Sequence, residues 1–511
     1  MRGDGEEESI GDERDGAAGT GSNGCPRMQG SGETIAAGAS WSAGTQGDGD
    51  APLSLGTSIF DDPAVVRRLE RRKTLEHITS NATIASAMMV AAALLAVLVA
   101  NSPAHVVAER LITAPMGFHF GQYFKSMTVE AFVNDGLMTL FFLLVGIELK
   151  CEMLVGQLRV PRQAALPMLA AVGGVVTPAL LYTLVNRGAN ASGWAIPIAT
   201  DIAFALGVMS LLGDAIRPET KVFLQTLAIA DDILAIVVLA LFFGRTPDPV
   251  WLAATVAMVA VLFALNVAHV FSLKPYAAAG VLLWLCMYKS GVHATLAGVI
   301  IAFFLPARSD IRLTALEDWL DMWAITLGET YDRRSHVLDQ HGFCEDAVVV
   351  ERVMHHVTPP LERAERDISV LVNFVVLPLF AFVNAQVRVV GVAPLEIVGS
   401  PVAMGVFVGA VLGKPLGICT VTLALVRVGF ARLPHNMGLT QLVAVGILGG
   451  LGFTMSILIA GLAFSDAALE LMAKCAILAG SVASAVLGIA FVRCLAPAGV
   501  VGRTDAGGGG A

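Results

Sequence analysis

Long apolar runs alternate with short polar connections along most of this chain. Runs of about 20 apolar residues, the length a helix needs to cross a hydrocarbon layer of roughly 30 Å, lie near 84–101, 130–149, 163–185, 194–213, 220–243, 250–271, 275–289, 291–306, 369–387, 400–427, 439–464 and 470–494. They predict an all-α polytopic membrane protein of twelve helical spans, with the seventh and eighth short. The first 75 residues have no such pattern. They carry GDGEEES, GDERDG and many Gly, Ser and Ala, so they bury too little apolar surface to offset the entropy of ordering, and they predict a disordered acidic tail. The stretch 498–511 reads as a flexible C-terminal tail, which leaves 76–497 as the membrane domain.

Two connections depart from the pattern. The loop 307–368 is far longer than the rest and places Leu316, Trp319, Leu320, Trp323 and Leu327 on one helical face. Such a face suits a helix lying in the membrane surface, and equally one packed on the protein. Between the first two spans, GFHFGQYF alternates apolar residues around a central Gly, as in a short strand or hairpin.

Composition agrees with the pattern. Hydrophobic residues make up 55% and charged residues 15% of the 511, against about 25% charged in soluble domains. The net charge of -9 owes much to the acidic tail and implies no partner, nucleic acid included. Cys25, Cys151, Cys286, Cys344, Cys419, Cys475 and Cys494 are scattered, with no disulfide framework and no metal-ligand spacing. No cofactor is implied.

Basic residues are retained on the cytoplasmic side of a membrane. One side of the twelve spans holds Arg67, Arg68, Arg71, Arg72, Lys73, Lys150, Arg159, Arg162, Arg217, Lys221, Lys274, Arg427, Arg432, Arg493 and the arginines of the long loop. The other holds only Arg110, Lys125, Arg187, Arg245, Lys289, Arg388 and Lys474. Both termini, and the loop, are therefore expected in the cytoplasm.

Few ionisable residues lie deep in the spans: Asp201, Asp231, Asp232 and Lys414, with Asp135 less deep. At about 3 kcal/mol each, the first four would cost on the order of 12 kcal/mol facing lipid, comparable to a whole protein's stability. They must face each other or water. Asp231 and Asp232 point about 100° apart on one helix, so one lines a cavity while the other meets a partner. Lys414 is the natural counter-ion. Two close carboxylates with limited solvation titrate as a coupled pair, and when ionised they offer the hard oxygen ligands that small hard cations prefer. Such a site holds protons or a cation, which is an exchange mechanism in outline.

The fourth span, WAIPIATDIAFALG, and the eleventh, GILGGLGFTMSILIAG, are poor continuous helices because of Pro197 and of Gly446, Gly449, Gly450 and Gly452. Each is the middle of a trio, spans 3–5 and 10–12. Interrupted segments at matching places in two inverted repeats point to a transporter's ion site, where half-helix ends aim partial charges into the cavity. Asp201 is placed to offset N-terminal dipoles and Lys414 to offset C-terminal ones.

The segments NDGLMTLFFLLVGIELK, GWAIPIATDIAFALGV, LAIADDILAI, KSGVHATLAGV, LPLFAFVNA, GKPLGI and GILGGLGFTMSI closely resemble the NhaA-type sodium/proton antiporters, from about residue 76 to 495. That family is itself a named case of the inverted-repeat architecture, so the repeat reading is not independent of the resemblance. The resemblance implies that Asp232 is the principal sodium or lithium ligand and a proton carrier, and that Asp231 is the second titrating carboxylate, paired with Lys414 when no ion is bound. It implies that Thr200 and Asp201 support the site at the break of the fourth span. It implies electrogenic exchange of two protons inward per sodium outward at a bacterial inner membrane, in a homodimer joined through the segment between spans 1 and 2. It also implies activation at alkaline pH through Glu148, Lys150, Glu152, His293 and Glu365. Here Cys151 stands where an arginine is usual, Arg366 and Ser369 follow Glu365, and the 307–368 insertion abuts this cluster, changes that bear on the pH midpoint. The competing reading, an intramembrane aspartyl protease, needs two carboxylates on different helices sharing one water. Adjacent Asp231 and Asp232 do not supply that, and the chain has no GxGD motif.

Overall fold

The structure, a computed structural model, describes residues 82–116 and 127–495 apart from 157, 158, 160, 245, 310, 391, 392, 435 and 436. The tails 1–75 and 498–511 and the segment GFHFGQYF lie outside the described residues. The strands on either side of that segment, β1 (Pro115–Met116) and β2 (Met127–Thr128), pair antiparallel with Pro115 opposite Thr128.

Everything else of note is helical. Among the described residues seven helices are long and apolar enough to cross a membrane, and two sharply bent pairs raise the number to nine. The helices are α1 (Ala82–Ala100), α2 (His105–Ile112), α3 (Met138–Leu154), α4 (Pro161–Val185), α5 (Ile202–Leu211), α6 (Pro218–Phe242), α7 (Pro249–Val267), α8 (Leu273–Ser290), α9 (Leu296–Phe304), α10 (Leu313–Thr330), α11 (His341–Val357), α12 (Pro360–Leu371), α13 (Leu377–Asn384), α14 (Pro394–Gly399), α15 (Pro401–Val408), α16 (Lys414–Val428), α17 (Leu439–Gly449), α18 (Phe453–Ala463) and α19 (Ala467–Leu495).

Three of the twelve expected windows give shorter or more polar helices. The window 130–149 becomes the 17 residues of α3 after a wide π-turn, Phe132–Leu137. The 18 residues of α8 include Lys274, Tyr276, Tyr288 and Lys289, and Gly291, at φ +84°, ends the helix. The nine residues of α9 rise only about 14 Å, less than half a hydrocarbon layer.

Packing between the two trios is close. Helix α4 lies along α16, and a Cβ on Gly173 would stand 2.6 Å from the Gly417 carbonyl oxygen. The backbones touch there, as small residues allow in membrane bundles. In the first trio a 3-10 helix, Gly188–Ile198, meets α5 at a bend of 45°, and in the second α17 meets α18 at 42°. The 3-10 helix packs against α18, and α17 packs against α6. The breaks thus come together beside the middle of α6.

Two further π-turns each lie just before an X-Pro step: Val372–Val376 precedes Leu377-Pro378, and Gly409–Gly413 precedes Lys414-Pro415. Proline has no amide for the carbonyl four residues back, so the ladder widens locally. The insertion folds into α10 and α11, which pack on each other. Leu316, Trp319, Leu320, Trp323 and Leu327 are half-buried, with the two tryptophan rings 5.5 Å apart. Arg363, on α12, donates to the Phe271 carbonyl at 3.0 Å and contacts His355 of α11, which ties the insertion to the bundle.

Candidate ion-binding site

Helix α6 buries both of its central carboxyl groups, with Asp231 and Asp232 each 1% exposed. Asp231 Oδ2 receives the Lys414 ammonium from the start of α16 and the Thr200 hydroxyl, the latter at 2.6 Å. Lys414 also donates to Thr200 Oγ1. The same hydroxyl lies 3.0 Å from the Gly449 carbonyl. With one proton to give, Thr200 donates to Asp231 or to Gly449 at any moment, which couples the break of one trio to the end of α17 in the other.

Asp232 is different. Among the described residues neither of its carboxyl oxygens has a hydrogen-bond partner, and Asp231 Oδ1 also lacks one. A buried, unpaired carboxylate is costly, whereas three oxygens without partners on neighbouring acids suit either a proton or a hard cation. Among the described residues no three His, Cys, Asp or Glu side chains group as a metal cluster, so the donors available are this acid pair, hydroxyls and backbone carbonyls.

Asp201 holds the breaks. Its Oδ1 accepts the Phe204 amide at 3.0 Å, capping α5, and its Oδ2 accepts the Thr454 amide at 3.1 Å and the Thr454 hydroxyl at 2.6 Å, in the first turn of α18. Its own amide donates to the Leu451 carbonyl. One carboxylate therefore faces two helix N-termini, where the backbone dipoles favour negative charge. With three donors on its oxygens, Asp201 is not arranged to share a catalytic water with Asp232, and the protease reading finds no support. Lys414 donates to Asp231 and Thr200, and Thr200 lies just past the C-terminal end of the 3-10 helix and 3.0 Å from the Gly449 carbonyl that ends α17.

The residues of the expected pH cluster separate. Lys150 donates to the carbonyls of Phe303 at 2.7 Å and Leu305 at 2.6 Å, closing the C-terminal end of α9. Cys151 Sγ lies 3.6 Å from Glu365 Oε2, and half-buried Glu148 and Glu152 stand one turn apart on the same stretch of α3. His293 precedes the other end of α9, with Nε2 2.9 Å from the Phe243 carbonyl. The structure brings Lys150, Cys151 and Glu365 to one end of α9 and leaves His293 at the opposite one.

Three polar groups at these junctions escape a reading based on charge. Thr454 grips Asp201, Ser456 donates to the Ile196 carbonyl at 2.8 Å, and Asn384 donates to Asn134 Oδ1 at 2.6 Å. The first two sit in FTMSI, where two hydroxyls in an otherwise apolar half-helix were the available signal.

Comparison with known proteins follows the same residues. The family described as Na+/H+ antiporter 1 matches residues 76–492. The Na(+)/H(+) antiporter NhaA of Helicobacter pylori strain J99 is 38% identical over 426 residues, covering 83% of this chain and 95% of that protein. The proteins of the same name from Pseudomonas putida strain GB-1 and Mesorhizobium japonicum are each 40% identical, covering 79% and 84% of this chain and 93% and 96% of their own length. A match across most of both lengths, with the paired acids, the lysine and both breaks inside it, places the chain in the Na+/H+ antiporter 1 family.

Proposed function

We propose that the protein is a secondary active antiporter that expels Na+ or Li+ from a bacterial cell in exchange for protons, two H+ per alkali ion. The observation that carries this reading is Asp232, buried with both oxygens unpartnered beside a carboxylate that already has a lysine. A cation entering the site takes the free oxygens of Asp232 and Asp231 as ligands and expels the proton on Asp232. The second proton leaves from the Asp231 and Lys414 pair, whose ammonium the cation replaces as the charge opposite Asp231. In the ion-free state the site is neutral, with Asp232 protonated and the ammonium opposite Asp231; with the cation bound and two protons gone, the two carboxylates share one positive charge and the site carries one net negative charge, and no resident cofactor is needed. Exchange of two protons for one cation moves one elementary charge, to which 100 mV contributes about 2.3 kcal/mol, nearly a factor of fifty in the attainable gradient.

The architecture suited to this role has twelve spans, counting α3, α8 and α9 with the nine longer elements, and crosses two discontinuous spans at the site. The asymmetry of Lys and Arg supports cytoplasmic termini in the inner membrane. A homodimer joined beyond β1 and β2, and alkaline activation through Glu148, Lys150, Glu152, His293 and Glu365, complete the reading. The sodium-linked release of protons tests it. In everted vesicles carrying a pre-formed proton gradient, sodium or lithium dissipates the gradient and potassium does not, while Asp231→Asn and Asp232→Asn each abolish the response in protein that still folds. Full exchange by both variants overturns the assignment, and sodium flux without proton movement shows a channel instead.

A further inference from the structure

Most hydroxyls in the interior of these helices bond the carbonyl four residues back, as Thr139 does to Asp135 at 2.6 Å, Thr226 to Val222 at 3.0 Å, Thr255 to Trp251 at 2.9 Å and Ser210 to Leu206 at 2.8 Å. Ser484, in the middle of α19, does not. It is 1% exposed and its Oγ has no partner among the described residues. Its position explains where the hydroxyl points. A Cβ placed on Gly450, at the break of the α17 and α18 pair, would stand 2.7 Å from Ser484 Oγ and 2.6 Å from the Ala410 carbonyl oxygen. The hydroxyl and that carbonyl thus flank the same glycine from two different helices.

The Ala410 carbonyl has lost its usual donor. In the π-turn Gly409–Gly413 the Lys414 amide donates to Gly409 rather than to Ala410, and the next residue, Pro415, has no amide to give. A buried donor on α19 and a half-buried acceptor on the turn that carries Lys414, each without its ordinary bond, therefore sit on either side of one glycine. Leaving such groups unmade is expensive, and a crossing that exchanges an ion must have a second arrangement.

We propose that Ser484 is a positioning residue of the transport cycle, whose hydroxyl donates to the Ala410 carbonyl in the alternate arrangement of the crossing and releases it in the present one. The bond favours the arrangement in which the turn beneath Lys414 has shifted, so it sets how readily Lys414 gives up Asp231 to an incoming cation. This inference rests on the antiport reading and names a residue outside the ion ligands. Among the described residues no other hydroxyl of α19 stands beside this break in the same way: Ser481 is buried too, but Ser484 is the one that flanks Gly450.

The test compares Ser484→Ala with Ser484→Thr, which keeps the hydroxyl, in reconstituted vesicles. An interhelical hydrogen bond of ordinary strength in a membrane bundle changes an equilibrium about threefold, and at most about twentyfold. Ser484→Ala is expected to shift the sodium KM, and the pH of half-maximal exchange with it, by a factor in that range with little change in maximal rate. Ser484→Thr is expected to stay near wild type, and both variants to melt with the wild-type protein. A second readout does not need transport: deuterium uptake over 409–414, whose protection changes on adding sodium in wild type and in Ser484→Thr but less in Ser484→Ala. Equal KM, pH profile and uptake in wild type and Ser484→Ala overturn the proposal. So does a Ser484→Thr variant that matches Ser484→Ala, or a loss of melting temperature in step with the KM change, since either marks a packing role. If wild-type vesicles move no protons with sodium, the antiport reading fails by itself, and the uptake comparison alone decides whether Ser484 bonds this turn.

Discussion

Replacing Lys414 with methionine keeps most of the side-chain volume and removes the charge, so it isolates what the ion pair does. Both partners are almost fully buried, with side-chain exposures of 1% and 2%. Without the ammonium, Asp231 Oδ2 keeps only the Thr200 hydroxyl and Oδ1 keeps nothing. A buried charge stripped of its partner costs about 3–5 kcal/mol. The pair as a whole contributes far less, because both charges were desolvated to make it, and replacing both at once is often close to neutral. The double variant Lys414→Met with Asp231→Asn is therefore expected to recover most of the loss. At about 2 °C per kcal/mol for a long chain, Lys414→Met lowers the melting temperature by roughly 6–10 °C and the double variant by only a few degrees. Survival of purified protein on size-exclusion chromatography after heating measures both, and the two single variants close a double-mutant cycle. A coupling below about 0.5 kcal/mol, or a double variant no more stable than Lys414→Met, refutes the claim that the lysine acts by neutralising Asp231.

Thr454→Val keeps the shape of the side chain and removes its hydroxyl bond to Asp201. A bond to a charged group contributes about 1.5–3 kcal/mol, so the melting temperature falls by several degrees and exchange weakens; an unchanged melt with unchanged transport shows that the two backbone amides hold the break alone. Gly409→Ala puts a Cβ 2.8 Å from the Pro197 ring, and overpacking of a rigid ring costs about 1–3 kcal/mol. Reduced yield of folded protein is expected, and normal yield and melting place these two spans further apart. In the insertion, the Asp332 carboxylate accepts the Arg334 amide and the Ser335 hydroxyl, each of which holds it below the usual carboxylate range. A depressed value in the folded state means that this turn is fully held above the free aspartate value of about 3.9 and loosens only as pH falls through the lower, folded one. A carboxyl chemical-shift titration reads that midpoint, and a value at or above about 3.9 contradicts the two bonds.

The parts of this site that are legible in the sequence share one property: nothing within their own helix relieves them. A carboxylate or an ammonium in an apolar run cannot be satisfied by a neighbouring backbone carbonyl or by lipid, so Asp231, Asp232, Asp201 and Lys414 announce themselves, and Lys414 is found as a partner by elimination. Breaks are legible for a related reason, since Pro197 and the glycines from Gly446 to Gly452 disrupt the helix ladder wherever they lie. Hydroxyls and amides give no comparable signal. Thr139, Thr226 and Thr255 satisfy themselves on their own helices, while Thr454 and Ser456 bond across the crossing, and the residue type alone does not distinguish the two cases. Composition also misses where a span stops. The window 291–306 is apolar throughout, yet the chain after Gly291 does not become helical until Leu296 and leaves the helix after Phe304, so the helix fills only part of the window. The groups that need the rest of the fold to be understood are therefore those able to serve either their own helix or a neighbour, and the fold decides between the two by which carbonyl it brings near.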